Sequence, residues 1–235
     1  MKNISIIVPE RSVMQAIADP QYCFSAVNEF MVKSGGDPLF HVELVGLSPE
    51  VKLNGKRYSV FPDRLLATAS PPDLVVIPAL FGDMKAAIQA NEAYIPWIKA
   101  QYESGTEIAS LCVGAFLLAA TGLLDGKKCS THWGFTNQFR DLYPDVEVQD
   151  GTIVTEENGL YSSGGANSYW NLLLHLVEKY ADREIAILIA KYFAIDIDRD
   201  SQTAFSMFKG QKSHQDEAVR KAQEYIEKNW KKELR

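Results

Sequence analysis

One cysteine stands apart by its neighbours. In the stretch EIASLCVGAFLLAATGLLDGKKCSTHW, Glu107 to Trp133, an apolar strand-like run ends in Ser110-Leu111-Cys112 and a helix-like run begins at Val113-Gly114-Ala115. The pattern Ser110-x-Cys112-x-Gly114 is a cysteine version of a nucleophile elbow. Small residues on both sides permit a tight strand-to-helix turn that pushes the side chain out over the carboxyl edge of a sheet. The unsatisfied N–H groups at the start of a helix favour an anion, so a lowered thiol pKa is expected. His132 ends a short strand-like run, Lys128 to Thr131, and is expected near the same edge. A Cys–His pair is the minimum for an activated thiol. The bland alternatives are a thiol that only packs, as Cys23 and Cys129 are read, and a histidine fixed by a hydrogen bond beside Trp133. Glu10, at the end of the first strand, and Asp83 could reach the edge as a third member, but neither spacing compels it. His41, His175 and His214 read as structural or solvated. Gly126-Lys127 lacks the upstream glycines of a phosphate loop, and there is no dinucleotide fingerprint or paired-histidine metal motif. No metal and no cofactor is expected.

The elements that must carry these residues follow from periodicity. Ile4–Val8, Phe40–Val45, Leu74–Ile77 and Ile108–Leu111 read as buried strands. Asp19-Pro20 reads as a helix start, followed by Phe24, Val27, Met31 and Val32 at helical spacing and stopped by Gly35-Gly36. Helices are expected over residues 93–102, 113–121, 135–143, 168–180 and 183–192. Asn54-Gly55 and Asp150-Gly151 read as hairpin turns. Strands alternating with helices predict an α/β fold, an open, mainly parallel sheet with helices on both faces. The stretch 199–215 is polar and reads as a connector. In Asp216–Trp230, Val219, Ala222, Ile226 and Trp230 share one helical face, which a lone helix cannot bury on itself.

Composition sets outer bounds. The chain has 235 residues, 46% hydrophobic and 23% charged, with a formal net charge of -6. That supports one sizeable core plus an appendage. The body lacks the clustered Lys and Arg that a nucleic-acid surface needs. Three cysteines without close spacing argue against a disulfide framework or zinc ribbon and fit a reducing cytoplasm. No apolar run reaches membrane-spanning length.

At the cysteine and histidine the sequence resembles a known family. Cys112–Phe116, Leu118-Ala119, Gly122–Gly126 and Thr131–Trp133 are similar to the elbow region of the ThiJ/PfpI superfamily, of the class I glutamine amidotransferase-like fold. The closest likeness is to the GlxA-like branch fused to AraC-type transcriptional regulators. SSGGANSYWNLLLHLVEKY and DIDRDSQTAF resemble the same branch, and DEAVRKAQEYIEKNW resembles the first helix of an AraC-type DNA-binding domain. The resemblance implies a flavodoxin-like sandwich over residues 1–198, a connector over 199–215 and the start of a truncated helix-turn-helix domain over 216–235. It implies a regulator whose ThiJ/PfpI-like domain binds a small-molecule effector, with DNA bound through a module that is missing here and with a homodimer as the assembly. Effector contacts are expected from Cys112, His132, Glu10, Ala16, Val113 and Trp133. The chain departs from the family in stopping after about one helix of the AraC-type module and in lacking the expected acids, and the latter weighs against catalysis. The acid that contacts the cysteine in related hydratases and proteases falls at about Ala16, with Gln15 beside it. The acid that glutaminases carry two residues after the histidine is replaced by Gly134. The rival reading is a thiol enzyme of isocyanide hydratase-like or amidase-like type using Cys112.

Overall fold

The computed structural model describes residues 1–205 and 216–229. The chain divides into two compact units, residues 1–204 and 205–235. In the first, chain order runs β1 (Lys2–Ile7), α1 (Met14–Lys33), β2 (Phe40–Gly46), β3 (Val51–Leu53), β4 (Tyr58–Val60), β5 (Arg64–Leu65), β6 (Leu74–Ile77), α2 (Met84–Ala90), α3 (Tyr94–Glu103) and β7 (Glu107–Ser110). It continues with α4 (Ala115–Ala119), β8 (Lys128–Cys129), α5 (Thr136–Leu142), β9 (Glu147–Val148), β10 (Val154–Glu157), β11 (Leu160–Ser163), α6 (Tyr169–Tyr180) and α7 (Arg183–Phe193). The second unit is described through α8 (Glu217–Asn229). Asp216 Oδ1 caps α8 by accepting the N–H groups of Ala218 and Val219 at 3.0 and 3.1 Å. Residues 206–215, with His214, and the expected helix end at Trp230 lie outside the described residues.

Seven strands form one sheet in the order β10-β11-β7-β6-β1-β2-β5. Every pair in it is parallel except β10 with β11. The four residues of β6 and the last three of β7 are buried because helices cover both faces. A central parallel strand therefore reads as a continuous apolar run instead of an alternating one. Helices α1, α6 and α7 pack together on one face, and α2, α3 and α4 on the other. From β1 the chain steps to β2 on one side and later to β6 on the other. Such a reversal opens a crevice at the carboxyl ends of the strands, where ligands of open α/β sheets bind.

Two local expectations are corrected. The first helix begins at Met14, and Pro20 lies inside it. An interior proline costs about 3 kcal/mol or more through the lost hydrogen bond and ring clash. Here Ala16, Ile17, Pro20, Cys23, Phe24, Ala26 and Val27 are all buried by the same helix, which offsets that cost. Asp150-Gly151 does not close a hairpin. β9 pairs in parallel with β8, while residues 151–153 pair with 200–202 through Gln202 N–H to Gly151 O at 2.7 Å and Ile153 N–H to Asp200 O at 2.9 Å. The hairpin in this region joins β10 to β11 at Asn158-Gly159, both with positive φ, 53° and 77°. Asn-Gly is the pair that such a turn favours.

Candidate functional site

Cys112 follows β7 by one residue and opens a single 3-10 turn, Cys112–Gly114, that leads into α4. Its φ is +55°, a left-handed conformation that a non-glycine side chain adopts at a cost of about 1–3 kcal/mol. The surroundings hold it there. Its N–H donates to Ser163 Oγ at 3.1 Å, at the end of β11, and its carbonyl accepts from Thr131 Oγ1 at 3.2 Å. Gly114 lets the turn lie against β6. A Cβ there would sit 2.7 Å from Ile77 O and 2.6 Å from Pro78 O.

The expected lowering of the thiol pKa is corrected. Burial pushes Cys112 up to about 12, and the Val113 N–H opposes this only in part. The helix that follows is a 3-10 turn and five residues, too short to outweigh loss of water around a thiolate. Burial also raises Cys129, to about 12, and Cys23. The three thiols thus differ in access: of the three, Cys112 borders a cavity.

That cavity measures about 420 Å³. Val13 and Gln15 after β1, Ala79–Gly82 after β6, Cys112 and Val113 after β7, His132 and Phe135 after β8, and Ala166, Asn167 and Tyr169 after β11 line it. Among the described residues no charged side chain contributes to its wall. His132 stands in it as a neutral imidazole. Gly134 N–H donates to His132 Nδ1 at 3.0 Å, so the ring proton sits on Nε2, and burial lowers its pKa. The glycine two residues after the histidine thus has a local role: a Cβ at Gly134 would lie 3.2 Å from Nδ1. Cys112 and His132 share the cavity, yet no hydrogen bond joins them.

Of the other expected contacts, Val113 lines the cavity. Ala16 is fully buried and does not reach it. Trp133 does not line it and tilts against the His132 ring, centroids 5.2 Å apart. Glu10 borders a neighbouring hollow of about 910 Å³ that shares Val13, Gln15, Phe81 and Gly82 with the Cys112 cavity. Asp83 caps α2 by accepting the Ala86 N–H at 2.8 Å.

The carboxylate that sequence reasoning passed over is Asp19, one helical turn beyond Ala16. It accepts from Tyr169 Oη–H at 2.6 Å and from Trp170 Nε1–H at 3.1 Å. Tyr169 lines the cavity close enough to Cys112 for a charge there to be felt at the phenol. Burial first, and the Asp19 carboxylate second, hold that phenol protonated well above its ordinary range. Spacing of three from the expected acid position was the available signal; reading Asp19 as a helix cap hid it. Replacing Asp19 with Ala leaves two donors without an acceptor and should lower stability by about 2 kcal/mol, or a melting temperature lower by about 4–8 °C. Asp19→Asn, which keeps an acceptor, should lose about half as much. Thermal denaturation of the two variants checks this.

The family model of the DJ-1/PfpI family matches residues 31–179. The chain is 27% identical over 143 residues to the HTH-type transcriptional regulator GbdR of Pseudomonas aeruginosa, covering 61% of this chain and 38% of GbdR. It is 27% identical over 120 residues to the isonitrile hydratase of Pseudomonas putida, covering 50% of this chain and 49% of the hydratase. The chain thus spans less than half the length of either relative. The crystal structure of an AraC family transcriptional regulator from Pseudomonas putida superposes with a TM-score of 0.63 at 17% identity, over 82% of this chain and 100% of that one. The family model covers more than half of the residues, and the superposition agrees in fold: this chain belongs to the DJ-1/PfpI family.

Proposed function

We propose that the first unit is the small-molecule-sensing domain of an AraC-type transcriptional regulator. One observation supports it most: the Cys112 cavity is polar at selected points, but no carboxylate lines it and no hydrogen bond ties its histidine to the thiol. Asp19 is engaged by Tyr169 and Trp170, and His132 makes no hydrogen bond to the thiol. Sustained turnover needs a proton carrier in reach of the nucleophile and leaving group. Binding needs an apolar pocket with a few fixed polar groups, here His132 Nε2–H, Tyr169, Asn167 and Gln15. The likeness to GbdR points the same way. In this reading α8 opens a DNA-binding module, and a two-fold homodimer presents two such modules to paired half-sites.

The second reading, a thiol-dependent hydratase or amidase, draws on the likeness to isonitrile hydratase and on the left-handed backbone at Cys112. A screen of amides, isocyanides and α-oxoaldehydes separates the two. The expected result is ligand-dependent thermal stabilisation without turnover, still present in Cys112→Ala for ligands that do not react with the thiol. Turnover abolished by Cys112→Ala would establish the enzyme instead.

A further inference from the structure

Gln202 lies in a polar stretch, RDSQT, that carries no apolar anchor, yet it is only 2% exposed. Its side chain has four partners. Oε1 accepts from Gly165 N–H at 2.7 Å and from Trp133 N–H at 3.3 Å. Nε2 donates to Thr131 O at 2.9 Å and to Thr152 O at 3.4 Å. Thr131 and Trp133 bracket His132, and Gly165 precedes Ala166 and Asn167, so the amide spans the two loops that wall the cavity on that side.

The fit around this amide is close. A Cβ at Gly164 would sit 2.4 Å from Gln202 Nε2, and one at Gly151 would sit 2.4 Å from Thr203 Oγ1. Glycines 151 and 164 are thus what let the segment 200–203 lie down. The backbone pairs of Gln202 with Gly151 and of Asp200 with Ile153 add a second fastening. An amide suits the position because it offers donors and acceptors together. A carboxylate would turn an acceptor towards the carbonyls of Thr131 and Thr152, and an apolar side chain would leave all four groups unmet.

We propose that Gln202 is a positioning residue that couples occupancy of the Cys112 cavity to the segment leading out of the first unit. The proposal rests on the sensing reading of that cavity. The amide can meet both loops in one relative placement. A ligand that displaces the 131–133 loop against the 165–167 loop breaks part of this set, and the backbone pairing of residues 200–202 weakens with it. The energy difference between docked and released amide is what a ligand has to bias.

The test uses the full chain and a probe that needs no knowledge of the natural ligand: the carbamidomethyl group placed on Cys112 by iodoacetamide, its position mapped on peptides. Hydrogen exchange of the Ile153 and Gln202 amides is followed with and without the adduct. The expected result is exchange faster by about tenfold or more in the alkylated wild type. In Gln202→Ala exchange should be fast from the start and unmoved by alkylation. Gln202→Asn, which keeps the amide but cannot reach, should behave as Gln202→Ala does and serves if the alanine variant does not fold. Unchanged exchange on alkylation of the wild type, or an equal response in the Gln202 variants, would overturn the proposal. Because neither DNA binding nor turnover enters the readout, an enzyme outcome in the ligand screen leaves this result separately readable.

Discussion

Between about pH 7 and about pH 9 the rate of Cys112 alkylation by iodoacetamide should rise about a hundredfold, because the attacking species is the thiolate. Burial sets the thiol near 12, so each pH step in that range adds thiolate in proportion and no plateau is reached. A cysteine activated by its histidine would behave otherwise, with a pKa near or below neutrality and a nearly flat profile. Cys112 should still react before Cys23 and Cys129, since of the three it opens on a cavity. The measurement is a pH series with quenched time points and peptide mapping. A plateau below about pH 8 would show that the cavity activates the thiol after all. The same burial has a stability counterpart. In the unfolded chain a thiol ionises near 9, whereas in the fold Cys112 and Cys129 keep their protons to about 12. Their folded pKa values are raised, so the stabilisation is whole below the unfolded value and falls as pH rises through that window.

Gly114→Ala should be among the most damaging single-methyl additions in the protein. The atoms that its Cβ would meet, Pro78 O at 2.6 Å and Ile77 O at 2.7 Å, are backbone at the end of β6 and cannot swing aside. Relief requires the Cys112 turn to lift off the sheet, which strains its hydrogen bonds to Ser163 and Thr131. Overpacking of this kind costs about 3 kcal/mol, a fall in melting temperature of about 6–12 °C for a domain of this size. Lifting the turn also admits water, so Cys112 in the variant should alkylate faster than in the wild type at the same pH. Gly36→Ala is the control: its nearest neighbour is the Met31 carbonyl at 3.4 Å, and the change should be small. Equal melting temperatures for Gly114→Ala and the control would refute the steric account.

The strands were the most legible part of the sequence. The runs at β1, β6 and β7 are buried on both faces, so apolar continuity marks them without ambiguity. The elbow was legible for a related reason: a small residue on each side of Cys112 is a local requirement of the turn. Asp19 was misread because its partners, Tyr169 and Trp170, are 150 and 151 residues away. Its local setting, before a proline, has an equally good local explanation. Gln202 was absorbed into a connector for the same cause, since nothing in RDSQT announces four long-range hydrogen bonds. The pKa of Cys112 went wrong in sign because spacing reveals the start of a helix but not how much water is lost around the sulfur. Hairpin placement failed where two glycine turns competed. Asp150-Gly151 and Asn158-Gly159 are similar signals, and sheet pairing chose the second.

The cavity and its brace draw on residues from Val13 to Gln202. The sheet beneath them pairs β7 with β11, so its β10-β11 edge cannot close until residue 163 has been made. Pairings of this kind form late, because loop closure must precede the contacts that reward it. At about 5–20 residues per second of synthesis, a nascent chain spends several seconds with Cys112 already made and its wall incomplete. A small molecule in this cavity would therefore meet a whole wall only once the first unit is essentially complete, so it could bind the finished fold but could not template its making.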